Sequence, residues 1–299
     1  MSKPIVHVAV ALLFHRSKVL VGWREAKQHQ GNKYEFPGGK VEGNETPEET
    51  CRREIYEEVG VGLSDWHPFS LICHEYDDIT VHLHLFFAHV PEEMLNQIQK
   101  PWAWYTREKL QTLDFPAANQ PVIERLYWPH SIRIGTAFSA IEQLAQDMLF
   151  YWRPEQAEID KNWLLEYSIQ QLNKLIVPYQ VWRSLNVEQQ HHIAAVHLKQ
   201  SEQMSLKKGE LCIGIRYIAA CHDAASVQHA VQIGCEAVLI SPVQATPTHP
   251  EAPALGWDAF AELAHQADVP VFALGGLSRE DLECARQYGA YGIAGIRHI

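Results

Sequence analysis

Three glutamates, Glu54, Glu57 and Glu58, recur at spacings of three and four within the stretch GGKVEGNETPEETCRREIYEEVGV, residues 38–61. On a helix that spacing projects them from one face, where like charges repel and weaken the helix. A bound cation removes the repulsion and keeps the cluster ionised. Carboxylate oxygens are the hard ligands Mg²⁺ takes, and Mg²⁺ completes its shell with water and substrate phosphates. The expected chemistry is a metal–phosphate site, with a solvated acidic helix face as the plain alternative.

The elements that hold these residues are legible nearby. Thr46-Pro47-Glu48-Glu49 reads as a capping box with proline at the first helical position. Gly60 ends the helix by accepting a left-handed conformation. Cys51, Ile55 and Val59, four apart, are expected to face the core. The runs IVHVAVALLF, KVLVGW, LICHEY and TVHLHLFFAHV read as strands separated by turn residues. His82 and His84 share one face of their strand, which suggests either a polar strand face or a transition-metal pair.

The chain of 299 residues, 46% hydrophobic and 20% charged, is long enough for two domains with sizeable cores. Acidic residues outnumber basic ones by 36 to 25, for a formal charge of -11. That balance argues against holding long DNA or RNA by its phosphates. The first apolar run is too short and too interrupted by His7 and His15 for a membrane span, and it lacks a cleavage site, so a cytoplasmic protein is expected. Six scattered cysteines without a Cys-x-x-Cys pair read as reduced thiols.

A Trp-Pro-His break near residues 128–130 divides the chain, giving expected domains 1–129 and 130–299. In the second part SIRIGTAF, MLFYWR, KLIVPYQVW, IAAVHLKQ, RYIAACH, EAVLISPV, PVFALGG and YGIAGIRHI supply eight short apolar strands. Helical stretches follow several of them, at Asp223 to Gly234, Trp257 to Ala267 and after the Ser278 cap. That alternation indicates βαβ units and a (β/α)8 barrel, apparently without its final helix. The fold class expected is thus α+β followed by α/β.

Gly39, five residues, Glu45, seven residues, then Arg53-Glu54-Ile55-x-Glu57-Glu58-x-Gly60-Val61 resembles the Nudix box at every defined position. The resemblance implies an α/β/α sandwich that hydrolyses nucleoside diphosphates linked to another moiety, using Mg²⁺ or Mn²⁺. Glu54, Glu57 and Glu58 would bind the metals, Gly39 would offer its backbone, and Glu45 and Arg53 would form a supporting ion pair. NKYEFPGGKVE and DFPAANQPVIERL further resemble the MutT-type 8-oxo-dGTP diphosphatases, which sanitise the nucleotide pool. By that resemblance Arg24, Phe36, Ala118 and Asn119 would bind the nucleotide. The base chemistry agrees. Oxidation at C8 turns guanine N7 into a donor while O6 stays an acceptor, and one carboxamide pairs with both. On the residues alone, Asn119 also reads as a turn or cap residue before Pro121. The distal glutamate of such enzymes has no clean counterpart, Glu92 and Glu93 being the nearest.

VHLKQ, SPVQATPTHP, FALGGL and GIAGIR resemble thiamine phosphate synthase and its TenI-type relatives. Gly275, Gly276 and Gly295, after the last two strands, would bind phosphate through backbone N–H groups. The chain departs from the synthases elsewhere. Pro178 and Tyr179 replace an Asn-Asp metal pair, and Glu155 and His249 replace lysines. Arg153 is kept, and Glu202 takes the place of a metal-binding aspartate. The expectation is a barrel without synthase activity that still binds a phosphorylated ligand, or acts as a sensor or docking module. A second enzymatic reading has the Nudix half hydrolyse thiamine-related diphosphates whose products the barrel binds.

Overall fold

The segment Val8–Phe14 is apolar at every position, and a strand of that kind is stable only with a layer on each face. In the computed structural model, which describes residues 3–27, 31–154, 168–246, 253–297 and 299, this is what the chain builds. It divides into two units, Met1–Trp128 and Pro129–Ile299.

In the first unit β1 (Ile5–His15) is the centre of a seven-stranded mixed sheet. Its order is β3 (Lys33–Glu35), β2 (Lys18–Arg24), β1, β6 (Thr80–His89), β5 (His67–Glu75). The short strands β4 (Gly38–Lys40) and β7 (Ala103–Tyr105) pair with β1 and β2. β1 and β6 run parallel in unbroken register from Ile5↔Thr80 to Phe14↔His89. Helix α1 (Pro47–Glu54) covers one face, where Ala9, Ala11 and Leu13 pack on Cys51, Ile55 and Val59. Val10, Leu12 and Phe14 point the other way, onto α2 (Arg107–Leu110) and α3 (Gln120–Leu126) through Leu110, Val122 and Leu126. The result is an α/β/α sandwich, as expected. Three strands of three residues and the helix α3 are additions to the sequence reading.

α1 starts as its sequence dictates, with the Thr46 side chain accepting from the Glu49 amide and Glu49 returning the bond to the Thr46 amide at 2.7 Å. It does not continue as a single α-helix. Ile55–Val59 forms a π-helical turn, closed by the Gly60 amide donating to the Ile55 carbonyl at 3.1 Å, with Gly60 left-handed at φ 89°. Such wide turns frequently mark functional sites.

In the second unit eight parallel strands, β8 (Ser131–Gly135), β9 (Met148–Trp152), β10 (Leu175–Pro178), β11 (Ala195–Leu198), β12 (Tyr217–Cys221), β13 (Ala237–Ile240), β14 (Val271–Leu274) and β15 (Gly292–Gly295), close into a barrel. All eight expected strands are present. Alternate residues such as Phe150, Val177, Val196 and Val238 pack outward with helical residues including Val227, Ala230 and Phe260. The helix Ala224–Ile233 is capped by Asp223 and ended by left-handed Gly234, and the next two follow at Gly256–Ala264 and Leu282–Gln287. Among the described residues no helix is long and apolar enough to cross a membrane.

Candidate active site

Arg53 is the hub of the glutamate cluster. Its Nε and Nη2 donate to the two carboxylate oxygens of Glu45 at 2.9 and 3.1 Å, which is the bidentate fit a planar guanidinium makes best. Its Nη1 donates to Glu54 at 2.9 Å and to Glu57 at 3.2 Å. Glu45 also accepts from the Thr50 hydroxyl, and these bonds to Arg53 and Thr50 hold its pKa below the usual carboxylate range.

Glu58 points to the other side of the turn and accepts from the Gly38 amide at 3.3 Å. The residue keeps an exposed surface, yet its carboxyl is crowded by protein. Loss of water, together with the nearby charges of Glu54 and Glu35, pushes its pKa up to about 7 against the pull of the Gly38 amide and Arg24. We weigh the crowding of the carboxyl above the exposure of the residue as a whole, because the group that titrates is the one crowded. Glycine is required opposite. A side chain on Gly39 would run into the Glu54 carboxylate, and one on Gly38, at φ 143°, into the Ala9 carbonyl.

Among the described residues no three histidine, cysteine or acidic side chains stand preassembled around a common point. The donor set nevertheless suits a hard dication. Glu54, Glu57 and Glu58 are carboxylates, Arg53 already supplies one positive charge to two of them, and Glu58 is left without a cation of its own.

The residues expected to hold the nucleotide form a second group. Arg24 donates to Glu35 at 2.7 Å across β2 and β3, and Glu35 lies within electrostatic reach of Glu58. The next residue, Phe36, is buried and stacks on Phe115 at 5.0 Å. Ala118 is buried too, its amide directed at the Tyr76 hydroxyl at 3.4 Å. Asn119 precedes α3 but its side chain makes no cap hydrogen bond. The consecutive pair Glu35 and Phe36 thus joins the two groups, and neither Glu35 nor Tyr76 was singled out from sequence. Glu92 is tied to Arg16 at 2.9 Å.

His82 and His84 are joined by His7, whose Nδ1 lies 2.9 Å from His84 Nε2. In the barrel, Gly275 (φ 113°) and Gly276 (φ 70°) permit close approach of the segment Pro242–Ala245, and Gly295 is packed by Ile299. Pro178 and Tyr179 stand at the end of β10. Glu155 and His249 lie outside the described residues.

Comparison with known proteins agrees with this division. Residues 9–125 match the NUDIX domain model and residues 159–299 the thiamine monophosphate synthase model. The 8-oxo-dGTP diphosphatase of Escherichia coli (strain K12) is 35% identical over 125 residues, covering 40% of this chain and 95% of that protein. The CTP pyrophosphohydrolase of the same organism is 26% identical over 123 residues, 40% of this chain and 90% of that protein. A putative thiamine-phosphate synthase 2 of Aquifex aeolicus (strain VF5) is 36% identical over 77 residues, 26% of this chain and 41% of that protein. The chain belongs to the Nudix family through its first unit, and its second carries a thiamine-phosphate synthase/TenI-type domain. The barrel match spans less than half of that synthase.

Proposed function

We propose that the first unit hydrolyses 8-oxo-dGTP and related oxidised guanine nucleotides to the monophosphate and pyrophosphate, with Mg²⁺ and with Mn²⁺ as a substitute. The observation that carries the choice of base is Asn119. Its carboxamide is not spent on capping α3, so its oxygen and its NH₂ are open to N7–H and O6 of an oxidised guanine. Phe36 and Ala118 line its approach, and the buried setting penalises an unpaired polar atom on the wrong base.

When bound, the dication supplies Lewis-acid charge and a deprotonated water. The chain's own part is to hold Glu54, Glu57 and Glu58 ionised, with Arg53 and Glu45 fixing their positions and Arg24 beside Glu35 facing the nucleotide. Water attacks the β-phosphorus, the bond to the α–β bridging oxygen breaks, and pyrophosphate leaves from the nucleoside monophosphate. The test is turnover by the full chain of 8-oxo-dGTP, dGTP, CTP and thiamine diphosphate, with Mg²⁺ and with chelator. Preference for CTP or thiamine diphosphate over 8-oxo-dGTP would overturn the assignment.

For the barrel we infer a phosphate-binding domain without synthase activity. Pro178 supports this reading, because a pyrrolidine ring offers no donor to a metal at the end of β10.

A further inference from the structure

Alternation along the barrel strands decides which side chains face inward. Because Phe150, Trp152, Val196 and Leu198 pack outward, Tyr151 and His197 point in. The registers Ile134↔Tyr151, Ile176↔Tyr151, Pro178↔His197 and His197↔Ile218 place both among apolar neighbours on the inner wall. Among the described strand residues, the inward positions are otherwise apolar. His197 is 7% exposed, and its ring lies against Tyr151 at 4.4 Å. The Tyr151 hydroxyl and His197 Nδ1 are 2.9 Å apart.

A buried hydroxyl must donate its hydrogen, and Nδ1 is the acceptor Tyr151 meets. The ring proton of His197 is then on Nε2, which has no partner among the described residues. The ring also stays neutral, since burial and the charges of Arg153 and Lys199 hold its pKa down at about 3. Arg153 and Lys199 each follow their strand by two residues from Tyr151 and His197, so they continue the same inner columns toward the mouth. Both are exposed, and neither forms an ion pair among the described residues. The one carboxylate nearby, Glu202, is engaged by the Lys199 amide at 2.8 Å and by Gln180 at 3.3 Å.

We infer that this wall is an oxyanion site: Nε2–H of His197, held in that tautomer by Tyr151, receives an oxygen of a small carboxylate or phosphate whose charge is met by Arg153 and Lys199. In an eight-stranded closed order β10 lies four strands from β14, so this wall faces Gly275 and Gly276 from across the mouth. The site stands on different residues from those glycines and can be tested apart from them. A neutral N–H donor suits an anion here because it adds no buried charge and leaves the cations in water.

The experiment is imidazole ¹⁵N NMR on the full chain with ¹⁵N-histidine, titrated with inorganic phosphate and separately with oxalate. The His197 signals are identified from H197N. His197 is expected as the Nε2-protonated tautomer without charging down to pH 5, and its Nε2–H signal should move on titration with at least one anion. A response to phosphate alone or to oxalate alone identifies the oxyanion. R153Q and K199Q, both surface changes, should each weaken that titration about tenfold or more, and Y151F should populate the second tautomer. An Nε2 signal unmoved by saturating amounts of both anions would overturn the site, as would unchanged affinity in R153Q and K199Q.

Discussion

Arg53 holds both oxygens of Glu45 while its third nitrogen reaches Glu54 and Glu57, so one guanidinium sets the position of three carboxylates. Lysine offers one point charge and cannot keep that geometry. R53K should therefore lower kcat about ten- to hundredfold, the scale found when groups supporting metal ligands are removed. The Arg53–Glu45 pair is about a third exposed, so the cost in stability should stay below about 1 kcal/mol. Parallel kinetics and thermal melts check this, and equal losses in both would make Arg53 merely structural.

Glu57→Gln and Glu58→Gln should each reduce turnover by orders of magnitude at saturating Mg²⁺ while the fold persists. Each removes a carboxylate charge from the face proposed to hold the metal. Wild-type rates in either variant would remove that residue from the metal set.

Asn119→Ala should lower the ratio of kcat/KM for 8-oxo-dGTP over dGTP by about 1 to 3 kcal/mol, the scale of a good bidentate base contact. Because the side chain caps nothing, α3 should melt as before. A preserved ratio would show that the base is read elsewhere.

Acid should destabilise both units through buried histidine. Burial is the main cause holding His89 at about 3, with His67 and Arg107 adding positive charge, and both of its ring nitrogens are buried without partners. His197 is held at about 3 in the same way. The unfolded chain binds protons near pH 6.5 and the folded chain does not, so stability is full above that value. It falls as pH drops from about 6.5 toward 3, by up to about 1.4 kcal/mol per unit for each histidine. Melts of the wild type and H89F at pH 7.5 and 5 test this, the variant being expected to lose less. An equal loss would assign the acid sensitivity to other groups.

The full chain should form no thiamine phosphate from thiazole phosphate and pyrimidine diphosphate in a coupled assay. Diphosphate departure depends on electrostatic stabilisation, and Pro178 offers none where the resembled synthases place a metal ligand. Robust product formation would return the barrel to synthase chemistry.

Much of this was legible because the periodicities are strong. β1, with apolar residues on both faces, announces a sandwich, and the capping box at Thr46 and left-handed Gly60 bracket the glutamates correctly. β3, β4 and β7 were not, since three residues are too few to display alternation. The Arg24–Glu35 bond depends on the β2–β3 register, Gly22↔Glu35, which only the folded sheet fixes. Tyr151 and His197 look like unremarkable members of apolar strands until closure of the barrel decides which side is inside. The π turn escaped because Cys51, Ile55 and Val59 keep a spacing of four, which a helix of 3.6 and a wider turn of 4.4 residues bracket equally well.

That wide turn amounts to one residue more than an α-helix needs to climb the same height. Removing a single residue between Ile55 and Val59 would let the helix run on as ordinary α, and it would still be a good helix. Everything after the cut would arrive about 100° further round the axis, because each residue turns the chain by that much. Val59 would leave its seat against β1, and Gly60 would no longer close on the Ile55 carbonyl. The spare residue is the spacer that lets a core-facing valine and an outward-facing glutamate stand side by side.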